Sequence, residues 1–204
     1  MMSIFYNNNA ETTKEERIQQ FKEIMYKQYS NICAADSIHD NAFITFSDWL
    51  DSVGYFDVPA SLKHHGSYNG GLFDHSCAVA EHLLKMWTLE GLTDLNSAKS
   101  AIIVGMFHDI CKVDDYVPND RNYLNNKPWK SNPNKMLNGH GEKSVILISN
   151  WLTLTEEEML CIRWHMGAFD SPDNWDFYNR SIKKYPSVLL THTADMIACQ
   201  VDGI

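Results

Sequence analysis

Apolar residues recur at helical spacing along most of the chain, and one stretch breaks the rhythm. Ile18, Phe21, Ile24 and Met25 follow one another at three- and four-residue steps, as on one face of a helix. Thr13 and Glu16 stand just ahead of them as a capping box. Phe43, Phe46, Leu50 and Val53 mark a second amphipathic helix. Pro59 and the run HHGSYNGG then interrupt the pattern and predict a loop. A third helix is predicted over roughly 71–90, with Leu72, His75, Val79, His82, Leu83 and Met86 on neighbouring faces. The segment 97–111, SAKSAIIVGMFHDIC, is apolar on nearly every side and predicts a central helix.

Residues 114–139 are rich in Asn, Asp and Pro and do not read as helix. Within them RNYL and KPWK flank Asn125 and Asn126, the pattern of a short β-hairpin. Helical spacing returns at about 141–152. It returns again at about 156–166 behind a second capping box, Thr155 and Glu158. Residues 167–183 predict loop with a short helix, and a last helix is expected over about 186–200. The expected fold class is all-α: a loose segment 1–12, then a single domain over 13–204, a helical bundle with a polar insertion at about 114–139.

Composition adds bounds rather than detail. The chain has 204 residues, 44% hydrophobic and 21% charged, enough to bury a core in one domain. Its formal net charge of −9 speaks against long nucleic acid as a partner. A small phosphorylated ligand in a local basic pocket stays open. The cysteines Cys33, Cys77, Cys111, Cys161 and Cys199 form no C-x-x-C pair and sit mostly in apolar segments. They read as buried thiols of a reducing compartment. No run approaches a membrane span and the start lacks a signal-peptide pattern, so a cytoplasmic protein is expected and no membrane partner.

The chemistry gathers on histidines and carboxylates in or beside apolar helices: His75, His108 with Asp109, His140, His165 and Asp195. Asp195 lies within an apolar helical stretch, where an unpaired carboxylate costs several kcal/mol. Four imidazoles and two carboxylates suit one or two divalent transition metals. On a helix, adjacent residues 108 and 109 would point about 100° apart, so Asp109 could bridge two metals sharing one water. Lys112 would face the same site one turn on, or be a solvated lysine. His82 and His192 share faces with His75 and Asp195; each reads as a core histidine or as an orienting partner. Arg163 reads as an ion-pair residue or as a clamp on substrate. Cys111 reads as packing. Arg121, Lys127, Lys130 and Lys135, with Tyr116, Tyr123 and Trp129, either border a phosphate or base site or form a solvated loop.

The ordered set H…HD…H…H…D resembles the two-metal branch of the HD-domain phosphohydrolase superfamily. HH-x4-GGL-x2-H at 64–75, HDxxK at 108–112, GHGEKS at 139–144 and RWHMG at 163–167 resemble small bacterial and phage HD hydrolases. They are also similar to the HD portion of bacterial 3′→5′ exoribonucleases. The resemblance covers roughly residues 60–200. It implies an all-α HD fold and hydrolysis of a phosphate ester, of the nucleotide or short-oligonucleotide class, by a metal-activated hydroxide. Two divalent ions (Mn, Fe, Ni, Zn or Mg) are implied. His75, His108, Asp109 and Asp195 would hold one, and Asp109 would bridge to a second held by His140 and His165. Lys112 would bind the phosphate, and His64 and His65 would contact substrate or protonate the leaving oxygen. The G-Y-P element of cyclic-di-GMP-degrading relatives is missing, and no nucleic-acid-binding barrel precedes the domain. The same ligands also resemble HD-fold di-iron oxygenases, and a non-catalytic nucleotide-binding module is a third reading.

Overall fold

A computed structural model describes residues 9–29, 37–89, 95–121 and 127–204. The fold is all-α with one small two-stranded antiparallel sheet. The chain forms two compact units: residues 1–74 with 112–132, and residues 75–111 with 133–204. The division falls inside the third helix, after Asp74. The loose segment expected over 1–12 lies mostly outside the described residues.

In the first unit, α1 (Lys14–Tyr29) opens on the expected box: the Thr13 amide donates to Glu16 Oε2 and the Glu16 amide to Thr13 Oγ1. Phe21, Ile24 and Met25 are buried, and Ile18 is half-buried. α2 (Ser37–Ser52) buries Phe46 and Leu50. The core is aromatic. Phe21 meets Phe46 and Phe56 edge-on at 6.2 and 5.7 Å, and Phe73 meets Tyr55 at 5.9 Å. Such contacts add to burial by about 0.5–1.5 kcal/mol each. Arg17 and Asp74, both buried, meet in a two-pronged pair at 2.8 Å, and the carbonyls of Asn9 and Thr12 accept two more of the guanidinium N–H groups. A buried charge pair this fully bonded avoids the desolvation cost of an orphaned ion.

The hairpin differs from its sequence reading. Its strands are β1 (Tyr116–Pro118), which follows the short α5 (Lys112–Asp115), and β2 (Trp129–Ser131), in register Tyr116↔Ser131. The strand that pairs with β2 is Tyr116–Pro118; of the arm RNYL, Arg121 is in a turn and the rest lies outside the described residues. Tyr and Val favour the pleat, and Pro118 is tolerated because a two-stranded sheet has only edge strands. Amides of Asn119 and Asn132 donate to the carbonyls of Pro128 and Asp115, closing the ladder at both ends.

The second unit holds the rest of α3 (Gly71–Leu89), α4 (Leu95–Phe107), α6 (His140–Ser149), α7 (Glu156–Trp164), α8 (Trp175–Lys184) and α9 (Ser187–Ile197). α7 packs on α4, α6 and α9. Its own start carries the expected capping box of Thr155 and Glu158. The segment 167–183 is more ordered than expected. It has two 3₁₀ turns and then α8, whose apolar and polar residues separate onto opposite faces. α3 and α4 cross closely at Gly105, where a Cβ would lie 2.3 Å from Ala80 Cα. The helix expected over 97–111 ends early, at Phe107, and residues 108–111 form a turn. Among the described residues no helix is long and apolar enough to cross a membrane. Cys77, Cys111 and Cys161 are buried free thiols and Cys199 is a half-buried one; Cys33 lies outside the described residues.

Candidate metal centre

All six residues of the H…HD…H…H…D set belong to the second unit. Five elements bring them together: His75 from α3, His108 and Asp109 from the turn after α4, His140 from the first residue of α6, His165 from the end of α7, and Asp195 from α9. His75, His108 and His165 are fully buried; Asp109 and Asp195 are nearly so.

The hydrogen bonds fix how the imidazoles face. His75 Nδ1 lies 2.9 Å from the Ile204 carbonyl, His108 Nδ1 2.8 Å from the Gly105 carbonyl, and His165 Nδ1 2.7 Å from the Ile162 carbonyl. A carbonyl can only accept, so each Nδ1 carries the proton and each neutral ring presents Nε2 as a bare lone pair. His75 Nε2 and His108 Nε2 face one another at 3.2 Å. Two lone pairs at that distance repel unless a proton or a metal ion lies between them. His165 Nε2 is buried with no hydrogen-bond partner. It sits 3.3 Å from Asp109 Oδ1, too poorly aligned for a hydrogen bond. A buried ring nitrogen left this way has a lone pair that a bound cation could use.

Asp109 joins the two halves. Its Oδ2 faces His75 and His108 at 3.7 and 3.6 Å; its Oδ1 faces His140 and His165 at 2.5 and 3.3 Å. Asp195 Oδ1 closes the first half, 3.3 Å from His75 Nε2 and 3.9 Å from His108 Nε2. Within the second unit, overlapping groups of ligand atoms lie within metal-sharing distance: His75, His108 and Asp109; His108, His165 and Asp195; and Asp109, Cys111 and His140. The buried donors thus form a possible metal site.

Burial pushes His108 down to about 3, outweighing the neighbouring Asp109 carboxylate that acts the other way. That favours the neutral, metal-ready ring. Burial pushes the Asp195 carboxyl up, but the neighbouring His75, His108 and His165 side chains outweigh it and hold the carboxyl well below the usual carboxylate range. It stays charged, the form in which a carboxylate can bind a cation.

The turn at 108–111 replaces the helical geometry expected there, so the two adjacent side chains diverge by turn geometry and Lys112 is not one α-turn beyond His108. Lys112 is buried at the start of α5 in the first unit, where the loop 53–70 also carries exposed His64 and half-buried His65. Arg163 is engaged by two carboxylates, Glu142 at 2.5 Å and Asp170 at 2.6 Å, and lies over the Trp164 ring. That geometry suits its ion-pair reading. His192 Nδ1–H donates to the His165 carbonyl at 2.7 Å and so fixes the backbone at His165. His82 pairs with Asp202 at 2.5 Å.

Sequence reasoning read Cys111 as packing, and it is buried, but it also has a polar neighbour. Its sulfur lies 3.4 Å from His140 Nδ1, within the Asp109 and His140 group. A thiol two residues past Asp109 was a usable signal, masked by the apolar run before it. The motif glycine Gly141 also gains a cause: a Cβ there would lie 2.2 Å from the Arg163 carbonyl oxygen, so α6 can start this close to α7 only without one. Comparisons with protein-family models, with curated proteins and with solved structures found no match.

Proposed function

We propose that this chain is a metal-dependent phosphohydrolase of the HD-domain superfamily, cleaving a phosphate ester of the nucleotide or short-oligonucleotide class. The observation that carries this reading is Asp109, whose two oxygens face two separate histidine pairs. A carboxylate so flanked suits a bridge between two divalent cations, held by His75, His108 and Asp195 on one side and by His140 and His165 on the other. Imidazole and carboxylate donors favour Mn, Fe, Ni or Zn over Mg, which prefers oxygen alone. Bound cations would supply Lewis acidity towards a phosphoryl oxygen and acidify water.

The chain's own groups do the positioning. Backbone carbonyls lock three rings with Nε2 inwards, and His192 steadies the strand of backbone that carries His165. His140 is the exposed member, with 31% of its side chain open to solvent. Substrate would approach on its side. Hydrolysis forms one bond from a water oxygen to phosphorus, breaks the bond from phosphorus to the ester oxygen, and delivers a proton to that leaving oxygen. The roles of Lys112 and His64 on phosphate, and of His65 as a proton donor, rest on the sequence resemblance alone, as does the choice of a small phosphorylated partner.

The test is a panel of nucleotides, cyclic nucleotides, short RNA and simple phosphate esters, each offered with Mn, Fe, Ni, Zn and Mg. Anaerobic release of product with one of these metals is expected. Asp109→Ala should abolish it and lower metal content while the circular-dichroism spectrum holds. Metal affinity should fall by more than the roughly 10–100-fold that loss of an outer partner brings. Full hydrolysis by the Ala variant, or turnover only with iron and oxygen uptake, overturns the reading.

A further inference from the structure

Beyond Ile197 the chain winds through a π-helical turn (Ala198–Asp202) and closes on itself: the amides of Gly203 and Ile204 both donate to the Ala198 carbonyl. Gly203 makes this closure with φ at 75°, in the left-handed region. A Cβ there would meet nothing within 4 Å, so the glycine supplies a backbone conformation rather than space.

The closed turn reaches the candidate metal centre at two points. The Ile204 carbonyl lies 2.9 Å from His75 Nδ1. For His108 and His165 the carbonyl facing Nδ1 is three residues back, at Gly105 and Ile162, where local backbone sets it. For His75 it is 129 residues away in sequence. The orientation of that ring therefore depends on a distant segment. The second point is Cys199, whose thiol donates at 3.3 Å to Asp195 Oδ1, the oxygen that faces His75 Nε2. A third point ties the turn down. His82 Nε2–H donates to Asp202 Oδ2 at 2.5 Å. His82 follows His75 by seven residues, about two helical turns. One helix thus carries both the ring that the turn faces and the residue that holds the turn. Residues 200–203 are exposed, Val201 by 77%. With so little apolar burial there, hydrogen bonds decide whether the turn stays closed.

We propose that the 198–204 turn positions the His75 and Asp195 half of the cluster, and that closure of the turn and binding of a cation in that half are coupled. Gly203 and the His82–Asp202 pair are positioning residues that act through the Ile204 carbonyl. With that carbonyl in place His75 keeps its proton on Nδ1 and its Nε2 lone pair inwards. Without it the ring can turn, or carry its proton on Nε2, where no cation can bind. The inference rests on reading the cluster as a metal site, and not on the reaction proposed for it.

The test uses the full chain. In excess chelator, nitrogen NMR of the His75 ring should show a protonated Nδ1 and a bare Nε2. Gly203→Val places a β-branched residue at a left-handed φ, and His82→Ala removes the tie. Both should shift the His75 ring towards the other tautomer while circular dichroism holds. Both should weaken Mn on the order of ten-fold, within the range that loss of an outer partner brings, as read from the paramagnetic resonance of free Mn. Gly203→Asn tolerates the left-handed conformation and should stay within a few-fold of the parent. Coupling is reciprocal, so Mn should slow hydrogen exchange at the Gly203 and Ile204 amides of the parent. Val and His82 variants that bind Mn like the parent, with the His75 ring unchanged, overturn the inference and leave the metal site standing. Asn weakening Mn as much as Val also overturns it, since the left-handed residue would then not be the cause. A parent that takes up none of Mn, Fe, Ni or Zn overturns the metal site and this inference together.

Discussion

At the scale of single residues, the cluster is a balance of burial against charge, and that balance is readable in pH. His108 is fully buried and its pKa is pushed from 6.5 to about 3, burial being the main cause. In the unfolded chain the same ring takes a proton near 6.5, so the unfolded state binds more protons between the two values. Stability from this group is therefore complete above about pH 6.5 and is lost as pH falls towards 3. The slope approaches one proton, about 1.4 kcal/mol per pH unit. Asp195, whose pKa is lowered in the fold, keeps its contribution through most of that window and loses it only below the ordinary carboxylate range. Urea midpoints of the chelated protein, measured from pH 7.5 to 4.5, should fall accordingly, and His108→Gln should flatten the decline. A slope of the same size in that variant would assign the effect to other groups. Cys111 shows the limit of reading residues one at a time. Its neighbours in sequence are apolar, its neighbour in space is His140, and only the second is chemical.

At the scale of elements, the parts legible in sequence are those decided within a few residues. Both capping boxes form with the pairs that spacing picks out, Thr13 with Glu16 and Thr155 with Glu158. Their partners lie within one turn, so no distant contact can override them. The end of α4 was not legible. Ile110 and Cys111 continue the apolar run, and both are buried, yet the backbone leaves the helix at Phe107. Burial alone does not distinguish a helix from a buried turn, and what the turn does, facing His108 and Asp109 to the rest of the set, is a tertiary matter. The same holds for β1, whose pairing with β2 depends on register across the intervening residues rather than on the RNYL pattern. Gly141 joins the two levels. It sits in GHGEKS as a sequence signal, and its cause is the Arg163 carbonyl that a Cβ would strike. Gly141→Ala should cost about 1–3 kcal/mol by overpacking. It should also displace the α6 start and with it His140, lowering metal stoichiometry in the folded fraction. Thermal unfolding together with metal analysis checks both halves, and a variant of parental stability would show that the two helices have room to part.

At the scale of the whole chain, the polar composition of 114–139 announced an interruption, but no window of sequence announced that 112–132 packs with residues before Asp74. That grouping is set by contacts far apart in sequence. Its consequence for the candidate metal centre is specific: every residue of the H…HD…H…H…D set lies in 75–111 or 133–204. A metal that binds only the folded form stabilises it by mass action, by about 4 kcal/mol at a thousand-fold excess over Kd. At the centre His75 and His108 bring two lone pairs face to face, so the gain should be felt where the elements that carry the set meet. Hydrogen exchange on the chelated protein, before and after adding Mn, should slow at the end of α4, the start of α6, the end of α7 and along α9. Protection that failed to appear at α6 while appearing at α9 would leave His140 outside the bound set. The cluster would then be a single-metal site built on His75, His108 and Asp195, and Asp109 would be a terminal ligand rather than a bridge.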